Sequence, residues 1–200
     1  MFAQVRRVRG FTMVELLVVV AVLGVLLTLA APSFSEFTKM QRMKSINAQV
    51  ITDIQYARTE AVSRNVPVHL RFQPATSTVE MSCYVLYTTN ANPVPPRCDC
   101  RAAEGLRCTN AATAEIRTVQ VPTSLSVLIS ATGNDADNFS FDPRTGGMLY
   151  GAVDYTGPTP AEYLVDVYID SPRKLRDKVN LSGRVQACKP SGSTVPGAAC

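Results

Sequence analysis

The sequence R-G-F-T-M-V-E-L-L occupies residues 9–17 and leads into an uncharged run from Leu16 to Ala31. A helix over the 21 residues 11–31 is long enough to cross a bilayer, since each residue adds about 1.5 Å and the hydrocarbon core is about 30 Å thick. Glu15 places one carboxylate in this apolar segment. Because a charge in the membrane costs at least about 2.5–3.5 kcal/mol, an isolated glutamate there indicates a function.

Three arginines, at positions 6, 7 and 9, precede the sequence G-F-T-M-V-E of residues 10–15. This combination resembles the prepilin motif of type IV pilins and type II secretion pseudopilins. The resemblance implies that prepilin peptidase cleaves between Gly10 and Phe11 and methylates the new amino terminus at Phe11. It also implies that Glu15 pairs with the terminal amine of a neighbouring subunit during filament assembly. That pairing would give an intramembrane carboxylate a cationic partner.

The alternatives are a simple membrane anchor and an uncleaved signal peptide. A secretory leader has an apolar core of about 7–15 residues followed by a small-residue cleavage site, with no acid beside its basic region. Here Glu15 precedes the apolar run, and the run is long enough for a full span. The sequence therefore favours the prepilin interpretation, with the amino end in the cytoplasm.

A helical pattern continues beyond the apolar run, because apolar residues recur at intervals of four and three. The face that they form comprises Ile46, Val50, Ile54, Ala57 and Ala61. The opposite side, predicted to be solvated, carries Lys44, Asp53, Arg58, Glu60 and Arg64. The pattern predicts one helix from Phe11 to about Asn65, interrupted or bent near Pro32.

From Val66 the sequence changes to short β-prone runs separated by Gly, Pro, Asn and Asp. The predicted strands are Val66–Phe72, Ser82–Tyr87, Glu115–Val119, Leu125–Ser130, Asn138–Asp142, Met148–Tyr150, Tyr163–Ile169, Lys178–Leu181 and Arg184–Ala187. Turn sequences at residues 142–147 and 182–183 predict two hairpins. Residues 90–112 and 152–161 are predicted surface loops.

These elements predict an α+β protein of the type IV pilin kind, in which a long, partly transmembrane N-terminal helix packs on a C-terminal antiparallel β-sheet domain. Residues 1–10 form the leader peptide, 11–31 the transmembrane half of the helix and 32–65 its amphipathic half. Residues 66–200 form a β-rich globular domain in the periplasm. The protein is therefore expected in the bacterial inner membrane as a single-pass subunit, from which it enters a pilus or pseudopilus.

Three later stretches narrow the resemblance to the GspH/FimT family. They are D-I-Q-Y-A-R-T-E-A-V-S-R-N with V-P-V-H-L at residues 53–70, F-S-F-D-P-R-T-G at 139–146, and S-G-R-V at 182–185. The family comprises minor pilins and the minor pseudopilin H of type II secretion. Membership implies a structural subunit that primes assembly, with other pilin or pseudopilin subunits and prepilin peptidase as partners.

Six cysteines lie beyond the apolar run: Cys83, Cys98, Cys100, Cys108, Cys188 and Cys200. The periplasm favours disulfides. A zinc site is the alternative, but the one-residue spacer between Cys98 and Cys100 is unlike common zinc-binding pairs. The sequence predicts disulfides and no metal or other cofactor. Six cysteines allow about 15 pairings, so the pairing is left open, with closure of the tail by Cys188 and Cys200 the best single choice.

The net charge of +4 depends on the leader, because removing its three arginines leaves 17 basic against 16 acidic residues. Residues 171–200 contain one acid, Asp177, and six basic residues: Arg173, Lys174, Arg176, Lys178, Arg184 and Lys189. In the FimT branch a C-terminal Gly-Arg-x-Arg motif is associated with DNA binding. Here residues 183–186 read G-R-V-Q and lack the second arginine. The basic residues could still bind phosphates, or they could form a solvated strand surface that blocks unwanted pairing.

No set of residues suggests catalysis. His69 is the single histidine, and within an apolar strand it is predicted to be structural. The sequence predicts a minor pilin or pseudopilin that is not an enzyme. Two alternatives remain open: a DNA-binding minor pilin for natural transformation, and a type II secretion tip subunit that contacts exported proteins.

Overall fold

The computed structural model describes residues 11–89, 98–132, 138–149 and 162–200. The predicted leader, Gly10 included, lies outside these residues, as do 90–97 of the first predicted loop and all of the second. Residue contacts divide the chain into two compact units, Met1–Thr38 and Lys39–Cys200. One helix, α1, comprises Met13–Arg64 and runs through both units.

α1 contains Pro32 and is not interrupted there. A proline removes one helical hydrogen bond, and the hydrogen bonds of the turns on either side maintain the helix. α1 ends at Arg64, where Asn65 takes a left-handed φ of 55°, a common way to terminate a helix. Within the helical residues that the structure describes, no stretch has the length and hydropathy needed to cross a membrane.

The C-terminal part of α1 packs against the β-strands through a line of buried residues spaced by four and three. These residues are Met43, Asn47, Val50, Ile54, Ala57 and Ala61. The predicted face is confirmed for its last four members, but Ile46 is only half-buried and Asn47 takes its place in the line. Asp53 is buried, so the prediction that it is solvated is wrong.

The structure has nine strands in its described residues. They are β1 Val68–Gln73, β2 Met81–Thr89, β3 Thr113–Pro122, β4 Leu128–Thr132, β5 Asn138–Phe141, β6 Met148–Leu149, β7 Glu162–Asp170, β8 Arg173–Asn180 and β9 Val185–Cys188. All pair antiparallel, in a five-stranded sheet of order β3-β2-β1-β5-β6 and a four-stranded sheet of order β4-β7-β8-β9. The α+β prediction is confirmed.

Both predicted hairpins are present, as β5–β6 and β8–β9. Two strands begin three or more residues away from their predicted first residues. β4 begins at Leu128 because Thr123–Leu125 form a 3-10 turn, after which Ser126 takes a φ of 57°. β8 begins at Arg173, five residues before the predicted Lys178, because its basic residues bond to the neighbouring strand.

One hydrophobic core joins α1 to both sheets. Phe139 of β5 and Tyr163 of β7 connect the sheets directly, with ring centroids 4.4 Å apart. β2 is buried on both faces: Tyr84 and Leu86 belong to this core, while Cys83, Val85 and Tyr87 form a second cluster with Cys98 and Cys100. The loop that carries these two cysteines therefore covers the outer face of β2.

All six cysteines form disulfides, as predicted: Cys83–Cys100, Cys98–Cys108 and Cys188–Cys200. The first fastens the loop to β2, and the second closes the loop on itself. The third closes the tail, where the Lys189 N–H also donates to the Ala198 carbonyl and the Cys200 N–H donates to the Lys189 carbonyl. The predicted tail closure is confirmed.

Candidate assembly site and basic surface

The predicted assembly residue Glu15 lies in the first turn of α1. Thr12 precedes the helix, and its Oγ1 accepts a hydrogen bond from the Glu15 backbone N–H at 3.2 Å. Ser or Thr at this position, with Glu three residues later, is a common helix-starting combination. A carboxylate in the first turn also interacts favourably with the positive end of the helix dipole. The start of α1 therefore holds the backbone of Glu15 in a defined place.

The surface around Glu15 is apolar and exposed. Phe11 is 81 % exposed, and the exposed apolar side chains continue along the helix through Met13, Val14, Leu16 and Leu17. Glu15 makes no salt bridge within the part of the chain that the structure describes. Such a large exposed apolar surface is unusual for a monomer and indicates an interaction site.

The six basic residues predicted for DNA binding fall into two groups. Four lie in β8: Arg173, Lys174, Arg176 and Lys178. All four are ion-paired to carboxylates of the adjacent β7: Glu162, Asp166 and Asp170. Three acids thus face four bases, and the cluster has a net charge of only about +1.

Asp166 is the centre of this cluster. Its two carboxylate oxygens accept hydrogen bonds from Nε and Nη2 of Arg176 at 2.7 and 2.9 Å, and Nζ of Lys174 lies 3.5 Å away. These bonds to Asp166 raise the pKa of Arg176. Bidentate pairs of this kind are among the stronger ion pairs in proteins. The cations of β8 are thus engaged within their own sheet.

Arg184 and Lys189 form the second group. Arg184 is exposed and Lys189 is half-buried, and neither forms a salt bridge among the described residues. Of the six predicted residues, these two are therefore the ones with a charge available for an external anion. The structure does not test the DNA-binding prediction. Fewer of the six predicted cations are available to bind DNA than the sequence indicates.

Asp53 joins α1 to the five-stranded sheet. Its Oδ2 accepts a 2.7 Å hydrogen bond from the Tyr84 hydroxyl of β2, and its Oδ1 accepts one from Arg117 of β3. Asp53 raises the pKa of Arg117, and burial followed by the bond to Asp53 raises the pKa of Tyr84. The Arg117 guanidinium also lies 5.3 Å above the Tyr56 ring.

Arg58, predicted to be solvated, holds the two hairpin turns together. Its Nε donates to the Gly146 carbonyl of the β5–β6 turn at 2.8 Å. Gly183 of the β8–β9 turn approaches so closely that an added Cβ would lie 2.7 Å from the Gly146 oxygen and 3.2 Å from Arg58 Nε. A backbone bond from Met148 to Leu181 links the same turns. Arg58 is therefore a structural contact, and the prediction for it is wrong.

A groove of about 690 Å³ lies beside Arg58, between α1 and the β5–β6 turn. Tyr56, Thr59, Val62 and Thr145 are among its lining residues. Among the residues that the structure describes, no group of three or more His, Cys, Asp and Glu side chains is placed to hold a metal ion.

His69 lies in β1 and is buried, stacked on Tyr87 with ring centroids 5.2 Å apart. Burial lowers its pKa to about 4. The imidazole is therefore neutral at neutral pH, where it packs as an aromatic side chain.

Sequence reasoning missed the partners of the basic residues, although a signal was available. Glu162, Asp166 and Asp170 stand at every fourth position, and the bases follow after a two-residue turn. Since every second side chain of a strand shares one face, a hairpin at residues 171–172 brings acids and bases together.

Comparison with known proteins supplies the family. The sequence profile described as "Type II transport protein GspH" matches residues 48–183, and the profile "Prokaryotic N-terminal methylation motif" matches residues 5–31. No curated protein sequence matches the chain.

Two crystal structures of the type IV minor pilin FimU from Pseudomonas aeruginosa are similar in fold. The structure in space group P21 is 16 % identical with a TM-score of 0.46, and the match covers 75 % of this chain and 90 % of that one. For the structure in space group P65 the identity is 16 %, the TM-score 0.45 and the coverage 77 % and 98 %. Because the GspH profile matches more than half of its residues, the chain belongs to the GspH family of pilin-like proteins, and it carries the prokaryotic N-terminal methylation motif.

Proposed function

We propose that the chain is a minor pilin or pseudopilin, a structural subunit that helps to prime the assembly of a type IV pilus or a type II secretion pseudopilus. The observation that carries the proposal is the carboxylate of Glu15, held at the start of α1 on an exposed apolar surface with no salt bridge among the described residues. An apolar helical surface of this kind becomes buried when helices of several subunits pack together.

The Glu15 carboxylate restricts how the helices of neighbouring subunits can pack. A carboxylate that enters an apolar helix bundle needs a cationic partner, because burying it unpaired costs several kcal/mol or more. The methylated amine at Phe11 of a neighbouring subunit is the proposed partner. Cleavage after Gly10 by prepilin peptidase would create that amine, so docking depends on processing.

The proposed location follows from the same surface. Before assembly, lipid would cover the apolar residues of α1, and in the filament the helices of other pilin or pseudopilin subunits would cover them. The subunit is thus membrane-associated first and filament-incorporated later. A single-pass arrangement in the inner membrane with a periplasmic C-terminal unit stays a prediction.

The test replaces Glu15 by glutamine in the native host. Glutamine keeps the size of the side chain and suits the helix start as well as glutamate does, so Glu15→Gln removes chiefly the charge. We expect normal amounts in the membrane fraction but at least about tenfold less protein in sheared filaments, since about 1.4 kcal/mol changes an equilibrium tenfold. Mass spectrometry of the recovered subunit reports whether its amino terminus is methylated Phe11.

The matched control is Thr12→Val, which removes the cap and keeps the charge. It weakens the helix start by about 1 kcal/mol and should reduce recovery less than Glu15→Gln does. Equal recovery of the wild type and Glu15→Gln in sheared filaments would contradict the docking role.

DNA binding and contact with exported proteins stay as alternative predictions for the C-terminal unit. The ion pairs between β7 and β8 reduce the support for the first, because a polyanion would have to compete with Glu162, Asp166 and Asp170 for most of the predicted cations. Nothing in the described surface favours the second over assembly.

A further inference from the structure

A buried polar pair joins α1 to the four-stranded sheet. Asn47 of α1 is 4 % exposed and Asp177 of β8 is fully buried, and the Asn47 Nδ2 donates a hydrogen bond to the Asp177 Oδ1 at 3.2 Å. The two residues are 130 positions apart in the sequence. This bond therefore fixes a tertiary contact between the helix and β8.

One oxygen of each partner is left without a hydrogen bond. The Asn47 Oδ1 and the Asp177 Oδ2 are both buried, and neither accepts a bond from any group of the described residues. An ionised carboxylate and an amide oxygen are both acceptors only, so two acceptors would lie together in the core with no donor. Buried polar atoms in folded proteins are almost always bonded, which makes this arrangement costly.

No cation in the described structure compensates a charge on Asp177. On α1, Lys44 lies with Asn47 at the edge of a cavity of about 310 Å³ and forms no salt bridge with Asp177. On β8, the neighbouring Arg176 and Lys178 bond to carboxylates of β7. β7 adds only the like charge of Asp166 near Asp177, and β9 has no charged residue.

We propose that Asp177 is a neutral carboxylic acid up to neutral pH, that its Oδ2–H donates to the Asn47 Oδ1, and that this reciprocal pair is a pH-sensitive latch between α1 and β8. Protonation of the Asp177 Oδ2 supplies the missing donor. The resulting hydrogen bond satisfies both oxygens, because the Oδ2 donates and the Asn47 Oδ1 accepts. Burial raises the pKa of Asp177 to about 7, the bond from Asn47 opposes this, and Asp166 adds to the increase.

The direction of the pH dependence follows. In the unfolded chain Asp177 would ionise near the usual aspartate pKa of 3.8, while in the native state it stays protonated to about 7. The stability that the latch contributes is therefore fully present below the lower value and is lost as the pH rises through about 7. On the alkaline side the ionised Asp177 faces the Asn47 Oδ1 without a donor, and the contact between α1 and β8 loosens.

The direct test is a ¹³C NMR titration of the aspartate carboxyl groups in the full chain, kept in detergent micelles. One signal, identified by its absence in Asp177→Asn, should titrate with a midpoint near 7, far above ordinary aspartates. A midpoint below about 5 for that signal, within the range of common aspartates, would overturn the proposal.

Thermal unfolding of the full chain, followed by circular dichroism, gives a second readout. The amide of Asp177→Asn can pair with Asn47 at every pH. We expect the difference in Tm between Asp177→Asn and the wild type to be close to zero at the acidic end and to grow to roughly 10 °C above neutrality. A difference that does not change with pH would contradict the latch.

Two further variants serve as a substitute for Asp177→Asn and as a control. If Asp177→Asn does not fold, Asn47→Ala should move the midpoint of one carboxyl signal and leave the others in place, because Asn47 is the hydrogen-bonding partner of Asp177. Asp142→Asn is the control at an exposed turn, where bonds from Arg144 and Thr145 lower the pKa of the carboxyl. Its Tm difference should have the opposite sign, with the variant less stable at neutral pH.

Discussion

Polar side chains attach α1 to both β-sheets, and the groups that form these hydrogen bonds differ in charge. Towards the five-stranded sheet, Asp53 has the guanidinium of Arg117 and the hydroxyl of Tyr84 as partners. Towards the four-stranded sheet, Asn47 and Gln55 are neutral, and the carboxyl that Asn47 meets is Asp177. Both carboxyl groups are buried. A countercharge offsets the cost of burying an acid, and of these two acids only Asp53 has one among the described residues.

The largest expected effect is the loss of the charged attachment in Asp53→Ala. The change leaves the buried Tyr84 hydroxyl without an acceptor and Arg117 without its ion pair. Because the Arg117 side chain is 48 % exposed and can be hydrated, we expect a loss in the free energy of unfolding of about 2–4 kcal/mol, somewhat below that of a fully buried pair. Denaturant unfolding of the full chain in detergent, monitored by circular dichroism, measures it.

Tyr84→Phe is the matched variant for this attachment. It removes the hydroxyl and leaves the Asp53–Arg117 ion pair, so it should cost only about 1–1.5 kcal/mol. If the two variants were equally unstable, the ion pair would add nothing, and the contrast between a charged and a neutral attachment would fail.

The second effect concerns Gly183, where the β8–β9 turn meets the β5–β6 turn. Its carbonyl accepts a bond from Gln55, and its Cα faces the Gly146 oxygen and Arg58. Gly183→Ala would place a Cβ 2.7 Å from that backbone oxygen at a φ of +75°. Left-handed strain and the clash together should cost about 2–3 kcal/mol in the same unfolding measurement.

Gly192→Ala separates strain from crowding. Gly192 has a φ of +81°, but no atom lies within 4 Å of the position that a Cβ would take there, so its alanine variant should lose only about 1 kcal/mol. Equal losses at the two glycines would show that the close approach of the turns has no energetic weight.

The sequence predicts the elements of the fold correctly where local signals are strong. The four-and-three spacing of Val50, Ile54, Ala57 and Ala61 predicts the buried face of α1, and the turns at 142–147 and 182–183 predict both hairpins. The division of the strands into two sheets is not a local property. It depends on contacts such as Phe139 with Tyr163, which lie on strands that do not pair.

The polar contacts also depend on tertiary packing that local sequence signals do not predict. Asn47 and Asp53 lie on α1 where a helical pattern alone would place polar residues in water, yet each has a partner more than 30 residues away. Arg58 is polar in type but packs between two turns. The identity of a side chain gives its chemistry, whereas burial and partner come from tertiary packing, so the sequence indicated Glu15 and its motif but not the Asp177 pair.

The most selective effect is the acid response of His69 in the five-stranded sheet. Burial lowers its pKa to about 4 from the ordinary 6.5, so its contribution to stability is complete above the ordinary value and is lost as the pH falls towards the lower one. In the Asp177→Asn background, which removes the opposing response of Asp177, we expect a loss of up to about 2–3 kcal/mol across this interval. The curve should be much flatter when His69→Phe, which keeps the stacking on Tyr87, is added. Parallel curves for the two proteins would exclude this role.

Asp177 responds in the opposite direction over nearly the same interval, since its contribution is lost as the pH rises towards 7. The two slopes nearly cancel between about 4 and 6.5, so the wild type should show almost constant stability over this interval. Asp177→Asn should leave a curve that falls only on the acid side, and His69→Phe one that falls only on the alkaline side. Because the two residues lie in different sheets, the double variant should be close to the sum of the single ones, and a large departure from additivity would mean that the two sheets do not titrate independently.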